Sequence, residues 1–185
     1  LSVLTSISEG MEYLGDNLDW GMIALYLFLA LGVSFLCSLL EAIILSVTWS
    51  YIEILKKEAK SSGDVLKKLK ENIEQPLAAI LTLNTISHTV GAAGVGSEFH
   101  HLGNTWFTTA SIILTILILV FSEIIPKTIG AIYWKRIAPT AGYILDMLVW
   151  ITWPIVFVLN YFSRIISEGK EDQKEMTREE MIAVA

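Results

Sequence analysis

The chain opens on nineteen polar, acidic residues without strong periodicity and then turns apolar in four long windows. These are Met22 to Val47, Leu77 to Ser97, Leu102 to Ser122 and Ile137 to Ser163. A bilayer-crossing helix needs about 20 consecutive, mostly apolar residues, and each window approaches or exceeds that length. Glu41 is the one formal charge in the first window and Asp146 in the fourth, while Leu102 to Ser122 holds no Asp, Glu, Lys or Arg. Trp20 and Trp49 bracket the first window 29 residues apart, roughly 43 Å of helix at ~1.5 Å per residue, as expected of interfacial tryptophans.

Between the first two windows, Tyr51 to Gln75 carries six lysines interleaved with five acids and is split by Ser61-Ser-Gly63. That pattern predicts two short amphipathic helices with a turn at the split, a solvated charged hairpin rather than a binding site. Its lysines place it in the cytoplasm by the positive-inside rule. The second window then returns outward and ends in Gly91-Ala-Ala-Gly94-Val-Gly96. Small residues of this kind let membrane helices approach closely, and the string lacks the spacing and preceding strand of a dinucleotide fingerprint. The loop Glu98 to Thr105 has no Lys or Arg, as expected outside. The third window comes back in and is followed by Lys127, Lys135 and Arg136.

The fourth window decides the topology. If it does not cross, all thirteen basic residues fall on one side; if it does, they divide nine against four. The count favours a re-entrant or interfacial segment, for which Pro139, Gly142, Asp146, Trp150, Trp153 and Pro154 are suited. Asp146 is expected to face headgroups. The predicted fold is therefore an all-α membrane protein with three transmembrane helices (20–50, 76–97 and 106–128). A cytoplasmic helical hairpin (51–75) follows the first, and a juxtamembrane or re-entrant belt helix (137–165) follows the third. Residues 1–19 are expected to be extracellular, 20–166 to form the transmembrane domain and 167–185 to begin a cytoplasmic helical region. There Thr177-Arg-Glu-Glu180 has the spacing of a capping box that starts a helix. The sequence begins at Leu1 and stops about two turns later, which reads as a fragment preceding a cytoplasmic domain. The expected location is the plasma membrane, multi-pass, with the N-terminus outside and the C-terminus cytoplasmic.

Composition agrees: 54% of the 185 residues are hydrophobic and 17% charged, with a mean hydropathy of +0.58. The net charge of −6 arises mainly from the two ends and points to no partner; nucleic acid is not expected. Cys37 is the single cysteine, so no intramolecular disulfide can form. The first 20 residues have no Lys or Arg, unlike the basic start of a signal peptide.

Candidate chemistry centres on Phe121-Ser-Glu-Ile-Ile-Pro-Lys127. Glu123 is an acid at the edge of an apolar span, where a carboxylate is costly without a partner. Pro126 lacks an amide proton, so the backbone near Ser122 is expected to break and expose a carbonyl. Ser34, Ser38 and Glu41 share one face of the first helix, and Asn84 and His88 one face of the second. Hydroxyl, amide and carboxylate oxygens together suit hard cations such as Mg²⁺ or Ca²⁺. Each residue also has a plainer explanation. Ser34 and Ser38 can bond back to the carbonyl four residues earlier, Asn84 can join helices, His88 can be a satisfied interior histidine, and Lys127 can snorkel or neutralise a carboxylate. His100 and His101 are expected to be solvated in the outer loop. The chain has no His-Glu-x-x-His, no nucleophile elbow and no pair of membrane aspartates, so no catalytic residue and no enzyme activity is expected.

Ser34-Phe-Leu-Cys-Ser38-Leu-Leu-Glu41, Asn84-Thr-Ile-Ser-His88 and Glu123-Ile-Ile-Pro126-Lys127 resemble, in order, the signature segments of the CNNM/CorB/CorC membrane domain. The resemblance covers residues 20 to 185. It implies a homodimeric Mg²⁺ transporter with three membrane helices, a hairpin, a belt helix and, further on, a CBS pair that binds ATP. It further implies that Ser34, Ser38, Asn84 and Glu123 hold a largely dehydrated Mg²⁺. Glu41, Ser87, His88, Ser122, Pro126 and Lys127 are expected to support them. Na⁺ is the implied coupling ion for exchange or export. The chain departs from the family pattern at Leu83, His88 and Ser122, where glycine, a second asparagine and often glycine are usual. His88 is thus expected to orient a ligand or respond to pH. The rival reading is a non-transporting membrane anchor, or a Mg²⁺-sensing module, for a cytoplasmic nucleotide-binding domain.

Overall fold

A computed structural model describes the backbone of residues 18–100 and 102–183, and side-chain surroundings from residue 18 to 154 apart from residue 101. The described residues are almost all helical and include no strand, and three of the helices are long and apolar enough to cross a membrane. The first, α1, runs over Trp20–Ser46. Asp19 starts it by accepting from the amides of Gly21 (3.0 Å) and Met22 (3.1 Å), satisfying two of the donors that a helix start leaves open. It stops four residues short of the expected boundary, because Val47 turns extended and Thr48 caps the next helix by accepting from the Tyr51 amide. Trp49 therefore opens the hairpin rather than closing the span.

The hairpin comprises α2 (Trp49–Lys57) and α3 (Ser61–Glu71). Its turn lies at residues 58–60, where Ala59 adopts φ 55°, not at Ser61-Ser-Gly63; those residues form the first turn of α3. Nor is the hairpin merely solvated. Ile52, Leu55, Leu66 and Leu69 are buried with Leu40, Ile43 and Ile44 of α1 and with Ala138, Ala141 and Leu145 further along the chain. Lys70 reaches from α3 to the carbonyls of Ile44 (3.0 Å) and Leu45 (3.4 Å). A cation there complements the exposed carbonyls and the negative end of α1, and burial pushes the Lys70 ammonium below the usual lysine range.

Next come α4 (Glu74–His100) and a final helix, α5, that continues without a break through Asn104–Leu117, a wider π-helical stretch Ile118–Ile124, and Ile125–Ala183. The separate belt helix expected over 137–165 is thus an extension of the third membrane helix, and Thr177 lies inside a helix already under way rather than at its cap. Pro139 does not end α5, because the acceptor it orphans is used. The carbonyl four residues before it, on Lys135, takes the Tyr51 hydroxyl of the hairpin. Asp146 pairs with Lys68 of the hairpin at 2.9 Å while 42% of its side chain stays accessible. Ile112, Ile113, Ile116, Leu119, Phe121 and Ile124 remain exposed on α5, as a lipid-facing surface allows.

Candidate functional site

Two distortions of the helical backbone lie against each other between α1 and α5. In α1 the π-helical turn is Phe28–Val33, immediately before Ser34; in α5 it is Ile118–Ile124, which contains Ser122 and Glu123. A π turn adds a residue to the helix and rotates the side chains beyond it, and such turns are frequent at functional sites. The Ile125 amide donates five residues back, to the Val120 carbonyl, and Pro126 has no amide to offer the Ser122 carbonyl. The helix is widened at this point, not broken as the proline predicts. Ser122 joins the two distortions by donating its hydroxyl to the Leu31 carbonyl at 3.0 Å.

Around these turns the sequence-predicted residues converge. Ser34 Oγ lies 2.5 Å from His88 Nε2, so that hydroxyl is engaged across helices. Thr82, Thr85, Ser111 and Thr128, by contrast, donate back four residues at 2.8 Å. Ser38 is buried one turn beyond Ser34 and its hydroxyl has no partner at all, which overturns the back-bonding explanation for it. Asn84 donates its amide to Glu123 Oε1 at 3.1 Å, while its own carbonyl oxygen is buried without a partner. His88 Nε2 stands 3.9 Å from the same Glu123 oxygen. Lys127 Nζ lies 2.9 Å from Glu123 Oε2 and 3.3 Å from Glu41 Oε2, so it pairs with two carboxylates at once. Ser87 and Pro126 are buried beside these groups on α4 and α5.

Three glycines fix how closely the helices approach. A Cβ on Gly91 would lie 2.6 Å from the Ala30 Cβ and 2.8 Å from the Ala30 amide nitrogen, and one on Gly94 would strike the Tyr26 ring. On the other side of the site, a Cβ on Gly130 would meet the Ala42 Cβ at 2.7 Å and the Leu39 carbonyl at 2.9 Å. Gly130 and the Leu31 carbonyl escape a reading that looks for ligand side chains. Gly130 falls seven residues after Glu123, on the same helical face, and that register was the available signal. His100 is exposed, as expected, but stands on the last residue of α4 rather than in a loop, with its ring edge-on to Phe107, centroids 6.0 Å apart; His101 lies outside the described residues. Among the described residues no three His, Cys, Asp or Glu side chains gather in a metal-holding group. Any cation held here would rely on neutral oxygens beside a carboxylate, a donor set for hard ions.

Residues 25–185 match the family described as "Cyclin M transmembrane N-terminal domain". The chain is 32% identical over 145 residues to "UPF0053 protein sll1254" of Synechocystis, covering 78% of this chain and 42% of that protein. It is 27% identical over 156 residues to a UPF0053 protein of Haemophilus influenzae, covering 83% and 37%. With "UPF0053 inner membrane protein YfjD" of Escherichia coli it shares 26% identity over 113 residues, covering 60% and 26%. The chain therefore spans less than half the length of these relatives. With the match running from α1 through the whole of α5, the chain belongs to the CNNM family as its multi-pass transmembrane domain.

Proposed function

We propose that this domain carries Mg²⁺ across the membrane through a site between α1, α4 and α5, with Ser34, Ser38, Asn84 and Glu123 as its ligands. One observation carries the reading: among the described residues, Ser38 Oγ and Asn84 Oδ1 are the buried side-chain polar atoms left without a hydrogen-bond partner. Leaving such an atom unpaired costs about 1–3 kcal/mol. Helix glue would have paired them, whereas a dehydrated cation requires unpaired buried oxygens, and Asn84, which carries one of the two, also bonds the Glu123 carboxylate. Mg²⁺ gives up water reluctantly, and Glu123 supplies the negative charge that favours its doing so. Family membership supports the same reading. Glu41, Ser87, His88, Ser122, Pro126 and Lys127 serve as supports.

By analogy with the family, the domain works as a homodimer in the plasma membrane with the N-terminus outside and the C-terminus cytoplasmic. It moves Mg²⁺ outward or in exchange for Na⁺, and is governed by a C-terminal CBS pair that binds ATP. Mg²⁺ flux into or out of liposomes tests it directly. Glu123→Ala is expected to abolish flux in a protein that still folds; wild-type flux in that variant would remove Glu123 from the site. An anchor or sensor would show no flux in any variant.

A further inference from the structure

Both oxygens of Glu123 are already occupied by donors from the chain itself: the Asn84 amide on Oε1 and the Lys127 ammonium on Oε2. The ammonium also has a second place to go, because Glu41 Oε2 lies 3.3 Å away on α1. We infer that Lys127 is a tethered competitor for the transported cation. It holds Glu123 while the site is free of metal and withdraws to Glu41 when a divalent ion arrives. The inference rests on the reading of Glu123 as an ion ligand.

The charges argue for movement rather than coexistence. Glu41, Glu123 and Lys127 sum to one net negative charge. A divalent ion added with the ammonium still on Glu123 would set three positive charges against two negative ones, and the dication would repel the ammonium twice as strongly as a monovalent ion at the same distance. Withdrawal to Glu41 keeps every carboxylate paired and separates the two cations. The geometry permits it. Lys127 lies one helical turn beyond Glu123 on the same face of α5, its flexible stem is about half exposed, and Glu41 continues the Ser34–Ser38 face of α1 one turn further. Because the ammonium cannot diffuse away, its return to Glu123 displaces the ion again. Lys127 would thereby weaken binding enough to permit release, and it would favour divalent over monovalent ions, since only the larger charge gains enough from Glu123 to displace it.

Mg²⁺ affinity, read from the rise of the melting temperature with Mg²⁺ concentration in detergent, tests this without requiring transport. Lys127→Met is expected to bind Mg²⁺ about tenfold more tightly, and Glu41→Gln, which confines the ammonium to Glu123, about tenfold more weakly. The double variant is expected to match Lys127→Met, because Glu41 acts only by receiving the ammonium. If Glu41 instead attracted Mg²⁺ directly, its substitution would weaken binding equally in both backgrounds, and the inference would be overturned. Unchanged or weaker binding in Lys127→Met, or unchanged or tighter binding in Glu41→Gln, overturns it as well. Lys127→Gln takes the place of Lys127→Met in the same cycle should the latter fail to fold. A wild-type protein that Mg²⁺ does not stabilise at all would instead remove the ion site itself, an outcome distinct from the others.

Discussion

Tyr51 donates its hydroxyl to the Lys135 carbonyl, the acceptor that Pro139 leaves without its helical donor. The pair explains how α5 passes through a proline without ending, and it fastens the hairpin to the third membrane helix. Tyr51→Phe is expected to cost about 1 kcal/mol, the net value of one hydrogen bond, measured as a lowered melting temperature. The same variant should change the alkaline response. Burial pushes the Tyr51 phenol above its ordinary value of 10.0, so the folded state holds that proton more tightly than the unfolded chain. The resulting stability is complete below the ordinary value and is lost as pH rises through the raised one. Melting curves across that range should show this loss in the wild type and not in Tyr51→Phe.

This contact also marks where sequence reading stops. Three spans, a hairpin and the converging Ser34, Asn84 and Glu123 were legible because they follow from length, charge bias and helical register, all local properties. Pro139, Gly142 and Asp146 read as a break and an interface because a proline's lost bond and a membrane-depth acid are penalties when taken alone. Tyr51 and Lys68, some eighty residues away in sequence, remove those penalties, and no window of sequence contains both partners. The π turn before Ser34 is equally hidden, since Phe28–Val33 holds neither proline nor polar residue.

Gly91 and Gly130 flank the site along α1, one against Ala30 and the other against Ala42. A Gly→Ala change inside a helix gains up to about 1 kcal/mol in propensity, so propensity alone predicts stabilisation. Overpacking costs about 1–3 kcal/mol, and the 2.6 Å and 2.7 Å approaches meet a neighbouring helix rather than a flexible chain end. Packing should win, and Gly91→Ala and Gly130→Ala should each lower the melting temperature. Ala92→Leu, on the exposed side of α4, should leave it unchanged.

Ser38→Ala separates a structural serine from a ligand by the sign of its effect. Without Mg²⁺, removing a buried hydroxyl that has no partner relieves a desolvation penalty, so the variant should be as stable as the wild type or more stable, by about 1 kcal/mol. With Mg²⁺ in excess the order should reverse, because the wild type alone gains the full mass-action stabilisation of a bound ion. Asn84→Ala should lose that gain too, but without the advantage in metal-free conditions, since its amide also holds Glu123 at 3.1 Å. Melting curves of the three proteins with and without millimolar Mg²⁺ check both signs.

Lys68 and Lys70, two residues apart on α3, should differ in consequence although both make polar contacts. Lys68 meets Asp146 as an exposed pair, with 72% and 42% of the two side chains accessible; such pairs contribute roughly 0–1 kcal/mol and are screened by salt. Lys68→Met should therefore change stability little, and less still in high salt. Lys70 is partly buried against the last turn of α1, where the Ile44 and Leu45 carbonyls have no helical donors of their own. Lys70→Met keeps the apolar stem and removes only the ammonium, leaving those carbonyls unpaired beside a packed core. A cation at a helix C-terminus is worth about 0.3–1 kcal/mol at the surface and up to ~2 kcal/mol when partly buried, so the loss should fall toward the upper figure. It should persist in high salt, because a partly buried contact is poorly screened. Melting temperatures of both variants at low and high salt check the contrast; equal losses would mean that the hairpin is held by its charge alone and not by the end of α1.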